Sequence, residues 1–219
     1  MTIKKYIENK EKDKFFMNGL KVVVKDAPPS NISVNRVIEK LLRKVPSKLL
    51  IGLRMITVGI FEELVNFERQ AMYKNSTIFV TNDQESDEDM LDDIIHEVAH
   101  LVEEKHNIKI YGDGLLEREF LKKRDLMHKS LSKDNIRKDY SFFMKTGYDI
   151  EFDYFLHKDV GYEKLRNYTS SLFYSPYGST SLSEYFANGF EAFFMKEDIL
   201  RLKRLSPMLF DRLTNLMEK

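Results

Sequence analysis

The chain has 219 residues, 42% of them hydrophobic and 32% charged, a balance that supports a buried core and argues against a disordered chain. Lys+Arg and Asp+Glu are equal at 35 each, so net charge gives no support for binding nucleic acid or a membrane surface. Cysteine is absent, which excludes disulfides, iron–sulfur clusters, a cysteine nucleophile and thiolate metal sites; a metal would have to sit on His, Asp and Glu.

In chain order, residues 1–16 are charged and read as a helix or arm without the apolar core of a signal peptide. As written, the chain is expected to be cytoplasmic, with secretion or delivery by another route left open. No stretch approaches the ~18 apolar residues of a membrane span. Leu20–Ser30 reads as a short strand closed by Pro28-Pro29. Val34, Val37, Ile38, Leu41 and Leu42 have helix spacing, and Pro46 ends that helix. "LLIGLRMITVGIF" is rich in β-formers and reads as a buried strand. "LVNFERQAMYKN" fits either strand or helix, and "STIFVTN" (Ser76–Asn82) is a short β-run. The acidic "DQESDEDMLDD" suits a helix N-terminus through the dipole. That helix is expected to run to about Glu104. Beyond it come a turn at Gly112 and Gly114, a charged helix near 115–131 and an aromatic-rich stretch near 140–156. "SPYGSTS" reads as a loop, Leu182 to about Met195 as a helix, and residues from about Asp198 as a helical end. The order αβαββ followed by helices predicts an α+β fold.

The helix before Glu104 reads DDIIHEVAHLVEE from Asp92. At about 100° per residue, Leu91, Ile94, Ile95, Val98 and Val102 share one face, while His96 and His100 fall on the far side near Glu103. Imidazoles at i and i+4 point the same way from neighbouring turns and can grip one ion. Glu97 projects beside that ion, where it can take a proton from a polarised water. The competing reading is a chance match on a polar helix face.

A catalytic zinc site takes a third protein ligand. His106 comes too soon after the motif, and no Gly turn precedes it. His128 and His157 are distant alternatives. "SLSEYFANGFEAFF" offers a glutamate on a later helix. Leu182, Tyr185, Phe186, Gly189 and Phe193 share one face, and Glu184, Asn188 and Glu191 the other. Glu184 is the expected ligand, with Glu191 as its rival, and Asn188 is placed to orient an imidazole from behind the ligands. All three could equally be plain solvent-facing residues.

"HEVAH" followed by "YGSTSLSEYFANGFEAFF" resembles the catalytic domain of anthrax lethal factor and the related clostridial Pro-Pro endopeptidases, which are zincin metallopeptidases. The resemblance covers roughly residues 50–104 and 174–219. It implies a zincin-like domain with a small mixed sheet, an edge strand, an HExxH helix and a helical C-terminal part. It implies Zn2+ on His96, His100 and Glu184, with Glu97 as general base. It also implies that Tyr177, of the Tyr-Gly pair before the ligand glutamate, donates to the oxyanion, with Tyr174 a rival by position. "STIFVTN" stands where the family has its substrate-binding edge strand, which would hold a protein or peptide in extended form. Asn188 stands where the family often has a second acid. Between His100 and Glu184 lie 83 residues, more than the family usually shows. Residues 105–160 are therefore read as an insertion in a single domain of 1–219.

The function expected is a zinc-dependent endopeptidase. The alternative is a catalytically silent zincin-fold module acting through protein contacts. No nucleic-acid or membrane partner is expected, and the oligomeric state is not legible. The locally basic Lys122–Asp139 is expected to be a solvated helix face, because acids are interleaved. Tyr140, Phe142, Phe143, Tyr148, Phe152, Tyr154 and Phe155 are expected to form the small core that holds residues 105–160.

Overall fold

The computed structural model describes residues 14–196 and 198–218. The helix or arm expected over residues 1–16 falls mostly outside them, and its described end belongs to a strand. The chain packs as two compact units, residues 1–102 and 103–219. The fold is a mixed α+β one, with a small mixed sheet in the first unit and helices in both. No helix among the described residues is long and apolar enough to cross a membrane.

The first unit holds β1 (Lys14–Met17), β2 (Leu20–Val24), helix α1 (Val34–Lys44), β3 (Met55–Val58), the short helix α2 (Glu62–Asn66), β4 (Ala71–Lys74) and β5 (Thr77–Val80). Among the described residues they make one sheet in the order β1-β2-β3-β5-β4. The central pairs β2–β3 and β3–β5 are parallel, and the outer pairs are antiparallel hairpins. Val22, Ile56, Val58, Ile78 and Val80 are buried, as are Val37, Ile38 and Leu41 of α1. The strand expected over Leu49–Phe61 is shorter than its apolar run. Ser47–Leu50 forms a 3-10 turn, and only Met55–Val58 pairs.

One expectation is corrected here. "STIFVTN" is not the edge: β5 lies between β3 and β4, and β4 is the outer strand. The cause is local. Asn75 and Ser76 both have positive φ, at 51° and 62°, which makes the two-residue hairpin that folds β4 back onto the outside of β5.

Helix α3 (Asp87–Tyr111) begins in the first unit and crosses into the second. Asp87, Glu88 and Asp89 fill its first turn, where the helix dipole favours acids. Asp87 accepts from Ser33 N–H and Arg36 Nε, both at 2.8 Å, tying the start of α3 to the start of α1. The helix runs about two turns past its expected end, to Tyr111, through non-helical angles at His106.

The second unit continues with α4 (Leu115–Lys133), α5 (Tyr140–Phe143), α6 (Ile150–Tyr154), a π-helical stretch Phe155–Gly161 and α7 (Tyr162–Thr169). A 3-10 turn Tyr177–Ser179 then leads to α8 (Leu182–Met195), α9 (Ile199–Leu205) and α10 (Pro207–Met217). Phe143, Phe152 and Phe155 form a buried cluster, with ring centroids 5.0 to 6.4 Å apart. Phe142 is half-buried and stacks on Phe152, whereas Tyr140, Tyr148 and Tyr154 of the expected aromatic core are exposed.

Candidate metal centre

The helix repeat of α3 places His96 and His100 side by side, with ring centroids 5.3 Å apart and planes at 74°. Both are half-buried. Leu91, Ile94, Ile95, Val98 and Val102 are all fully buried, as the helical wheel requires. Burial extends beyond that stripe, because Ala99, Leu101 and Glu97 are also covered. Glu97 is 8% exposed, and its Oε2 accepts from Tyr73 N–H at 2.5 Å. An ionised carboxylate on a backbone N–H makes a strong, short bond that fixes its orientation.

The N–H taken by Glu97 belongs to the edge strand. Across the β4–β5 hairpin, Thr81 N–H bonds to Gln70 C=O at 2.8 Å, and the ladder runs Ala71 against Val80 through Lys74 against Thr77. Antiparallel pairs alternate between bonded and non-bonded. Residues 70, 72 and 74 therefore turn their polar groups toward β5, while Ala71 and Tyr73 turn theirs outward.

In the second unit, Ser181 caps α8, its side chain accepting from Glu184 N–H at 3.1 Å. Ser183 Oγ donates to Glu103 Oε2 at 2.6 Å, and Tyr111 OH donates to Glu103 Oε1 at 2.5 Å. Burial first, then the Glu103 charge, pushes the Tyr111 phenol far above its ordinary value, so it remains a donor. Glu103 follows His100 by three residues on α3, and Ser183 directly precedes Glu184. Tyr177 is half-buried in its 3-10 turn, and its C=O accepts from Thr180 N–H at 3.0 Å and from Thr180 Oγ1 at 2.8 Å.

Asn188 is 5% exposed, and its Oδ1 accepts from Ser175 Oγ. It thereby anchors the loop that carries Tyr177. Gly178 packs against it, where a Cβ would come 3.2 Å from Asn188 Oδ1. The face assignment on α8 shifts with it, since Phe190 and Phe194 are buried and Phe193 is only half-buried.

One ligand atom each from His96, His100 and Glu184 lies within 4.8 Å of the other two, a group that could hold a metal ion. Zinc bonds of about 2 Å to nitrogen and oxygen put tetrahedral ligand atoms roughly 3.3 Å apart, so small side-chain rotations suffice. Two imidazoles and a carboxylate, with no thiolate, are the donor set of catalytic rather than structural zinc. Among the described residues the group includes neither Glu191 nor His106, His128 or His157. His128 packs edge-to-face on Phe143 at 4.8 Å, and His157 stacks on Tyr162 at 4.8 Å. The Tyr174 ring lies under the Arg201 guanidinium at 4.8 Å.

Three contributors went unseen in the sequence: Glu103, Tyr111 and Arg124. Glu103 had a signal, as it sits on the histidine face of the wheel. Arg124 had a misleading one. Lys122, Lys129, Lys133, Asp134, Arg137 and Asp139 are exposed as expected, but Lys123 and Arg124 are buried and depart from the solvated face. Ser181-x-x-Glu184 also matches a capping box, a second structural use for Glu184 that the sequence contained. No family model matches the chain, and neither a curated protein nor a solved structure matches it.

Proposed function

We propose that this protein is a zinc-dependent endopeptidase of zincin type, with His96, His100 and Glu184 as ligands and Glu97 as general base. The observation that carries the reading is the grouping of these three side chains. Its companion is a glutamate adjacent to the first histidine, buried and held by the edge strand. When bound, zinc supplies Lewis acidity, which polarises a carbonyl and lowers the pKa of water.

The chain's own residues do the rest. Glu97 takes the proton of the attacking water and returns it to the leaving amine. Its Oε2 stays on Tyr73 N–H, and Oε1 faces the reaction. Tyr177 donates its phenol proton in a hydrogen bond to the oxyanion. The substrate is an extended peptide paired with β4, where Ala71 offers an outward N–H and C=O and Tyr73 an outward C=O. Base and substrate then share one strand, which fixes the distance between them.

The test is Glu97→Gln, an isosteric change that keeps the hydrogen bond to Tyr73. Cleavage of a peptide library should fall by roughly 100- to 10,000-fold while the zinc content is kept. Undiminished cleavage by this variant would remove Glu97 from the mechanism.

A further inference from the structure

Residues 105–160 reach the stretch around Glu184 at several points. Thr146 C=O accepts from Leu182 N–H at 2.8 Å, and Glu119 accepts from Tyr185 OH at 2.7 Å. The most demanding contact is made by Arg124. It is 1% exposed on α4 and donates through Nη1 to Ser179 C=O at 2.7 Å and Thr180 C=O at 3.1 Å. Nη2 donates to Phe142 C=O at 2.5 Å. The guanidinium lies 4.1 Å from the Phe152 ring centroid and 5.2 Å from that of Phe120.

This is a poor way to gain stability. The charge is buried against carbonyl dipoles and ring faces rather than a hydrogen-bonded carboxylate, and Nε has no partner. Burial lowers the pKa to about 9, which still leaves the group charged at neutral pH. Taking a charge out of water costs several kcal/mol unless its bonds repay it, so stability alone does not call for a cation here. What the guanidinium does offer is a rigid planar fork: Nη1 holds the successive carbonyls of Ser179 and Thr180 while Nη2 holds that of Phe142. The Ser179 and Thr180 carbonyls sit between Tyr177 and the Ser181 cap of α8.

We propose that Arg124 is the positioning residue for Tyr177–Glu184, setting the phenol and the carboxylate that zinc peptidase chemistry requires. This rests on the function proposed above. Residues 105–160 are on this account a brace for the site rather than an appendage.

The experiment compares the full-length wild type with Arg124→Met, Arg124→Lys and Leu131→Ala. Leu131 is buried on the same helix and touches none of the loop's hydrogen bonds. Three quantities are read: amide exchange over residues 175–184, zinc affinity, and kcat separately from KM. Arg124→Met should exchange faster over that segment. It should lose about 10- to 100-fold in zinc affinity or kcat, with KM nearly unchanged. Arg124→Lys should recover only part, because one ammonium cannot span from the Ser179–Thr180 carbonyls to that of Phe142 as Nη1 and Nη2 do, and it carries the test if the methionine variant does not fold. Leu131→Ala should lower Tm and leave all three readings as in the wild type. Exchange over 175–184 that is unchanged in both Arg124 variants would overturn the proposal. So would a Leu131→Ala variant that reproduces their losses. A wild type without zinc or cleavage would sink the peptidase reading instead, and exchange would still decide whether Arg124 holds the stretch.

Discussion

The stretches Asp92–Glu104 and Ser175–Glu191 are each needed for the candidate site, and they are built on different physics. In the first, one helix repeat sets His96 beside His100, with ring centroids 5.3 Å apart. In the second, Glu184 and Tyr177 depend on bonds from distant residues, Arg124 to Ser179 and Thr180, Thr146 to Leu182 and Glu103 to Ser183, and on the internal bond of Ser175 to Asn188. The first stretch should tolerate neighbouring substitutions that leave the helix intact. The second should be lost by changes far away in sequence.

The largest effect that sharpens this contrast is at Tyr177. Tyr177→Phe should lower kcat by about 100-fold with KM little changed, while Tyr174→Phe, whose ring packs under Arg201, should stay near wild type. Steady-state kinetics on a cleaved peptide separates the two. A loss confined to Tyr174→Phe would move the donor role to that residue.

A smaller effect is expected at Asn188. Asn188→Ala removes a buried acceptor and leaves the Ser175 hydroxyl without its partner, at a cost of about 1–3 kcal/mol by denaturant unfolding. Exchange at Ser175–Ser179 should rise, while the signals of α3 stay put. Equal loosening of α3 would erase the contrast between the two stretches.

The smallest effect is one of pH. Lys123 donates to Ser206 Oγ at 2.7 Å, and burial lowers its pKa to about 8, against 10.5 in the unfolded chain. Between those values the unfolded chain holds the proton that the folded chain has released, so stability contributed by this group rises with pH. Below pH 8 both states are charged and the contribution is flat. The wild type should gain on the order of 1 kcal/mol relative to Lys123→Met between pH 8 and 9.5. A difference that stays constant across that window would contradict the buried, depressed amine.

The legibility of the sequence follows the same division. Helix α3, its acidic first turn and its buried stripe could be read because periodicity is a local signal. The bounds of α8 were legible for the same reason. The edge strand was assigned to the wrong β-run because the deciding feature was the backbone of Asn75-Ser76, not hydrophobicity. Lys123 and Arg124 read as a solvated face because charge pattern does not reveal which carbonyls and rings will surround a cation. The bond of Ser175 to Asn188 was not legible, since Ser175 reaches that side chain only through the fold of the loop.

The central claim is that this chain holds one zinc ion on His96, His100 and Glu184 and uses it to cleave peptides. Its most direct test is metal analysis of the purified, zinc-reconstituted wild type beside His96→Ala, with library cleavage read with and without a chelator. The account predicts one zinc per chain and chelator-sensitive cleavage in the wild type, and neither in the variant. A wild type that takes up no stoichiometric zinc, or a His96→Ala variant that retains it in full, would contradict it.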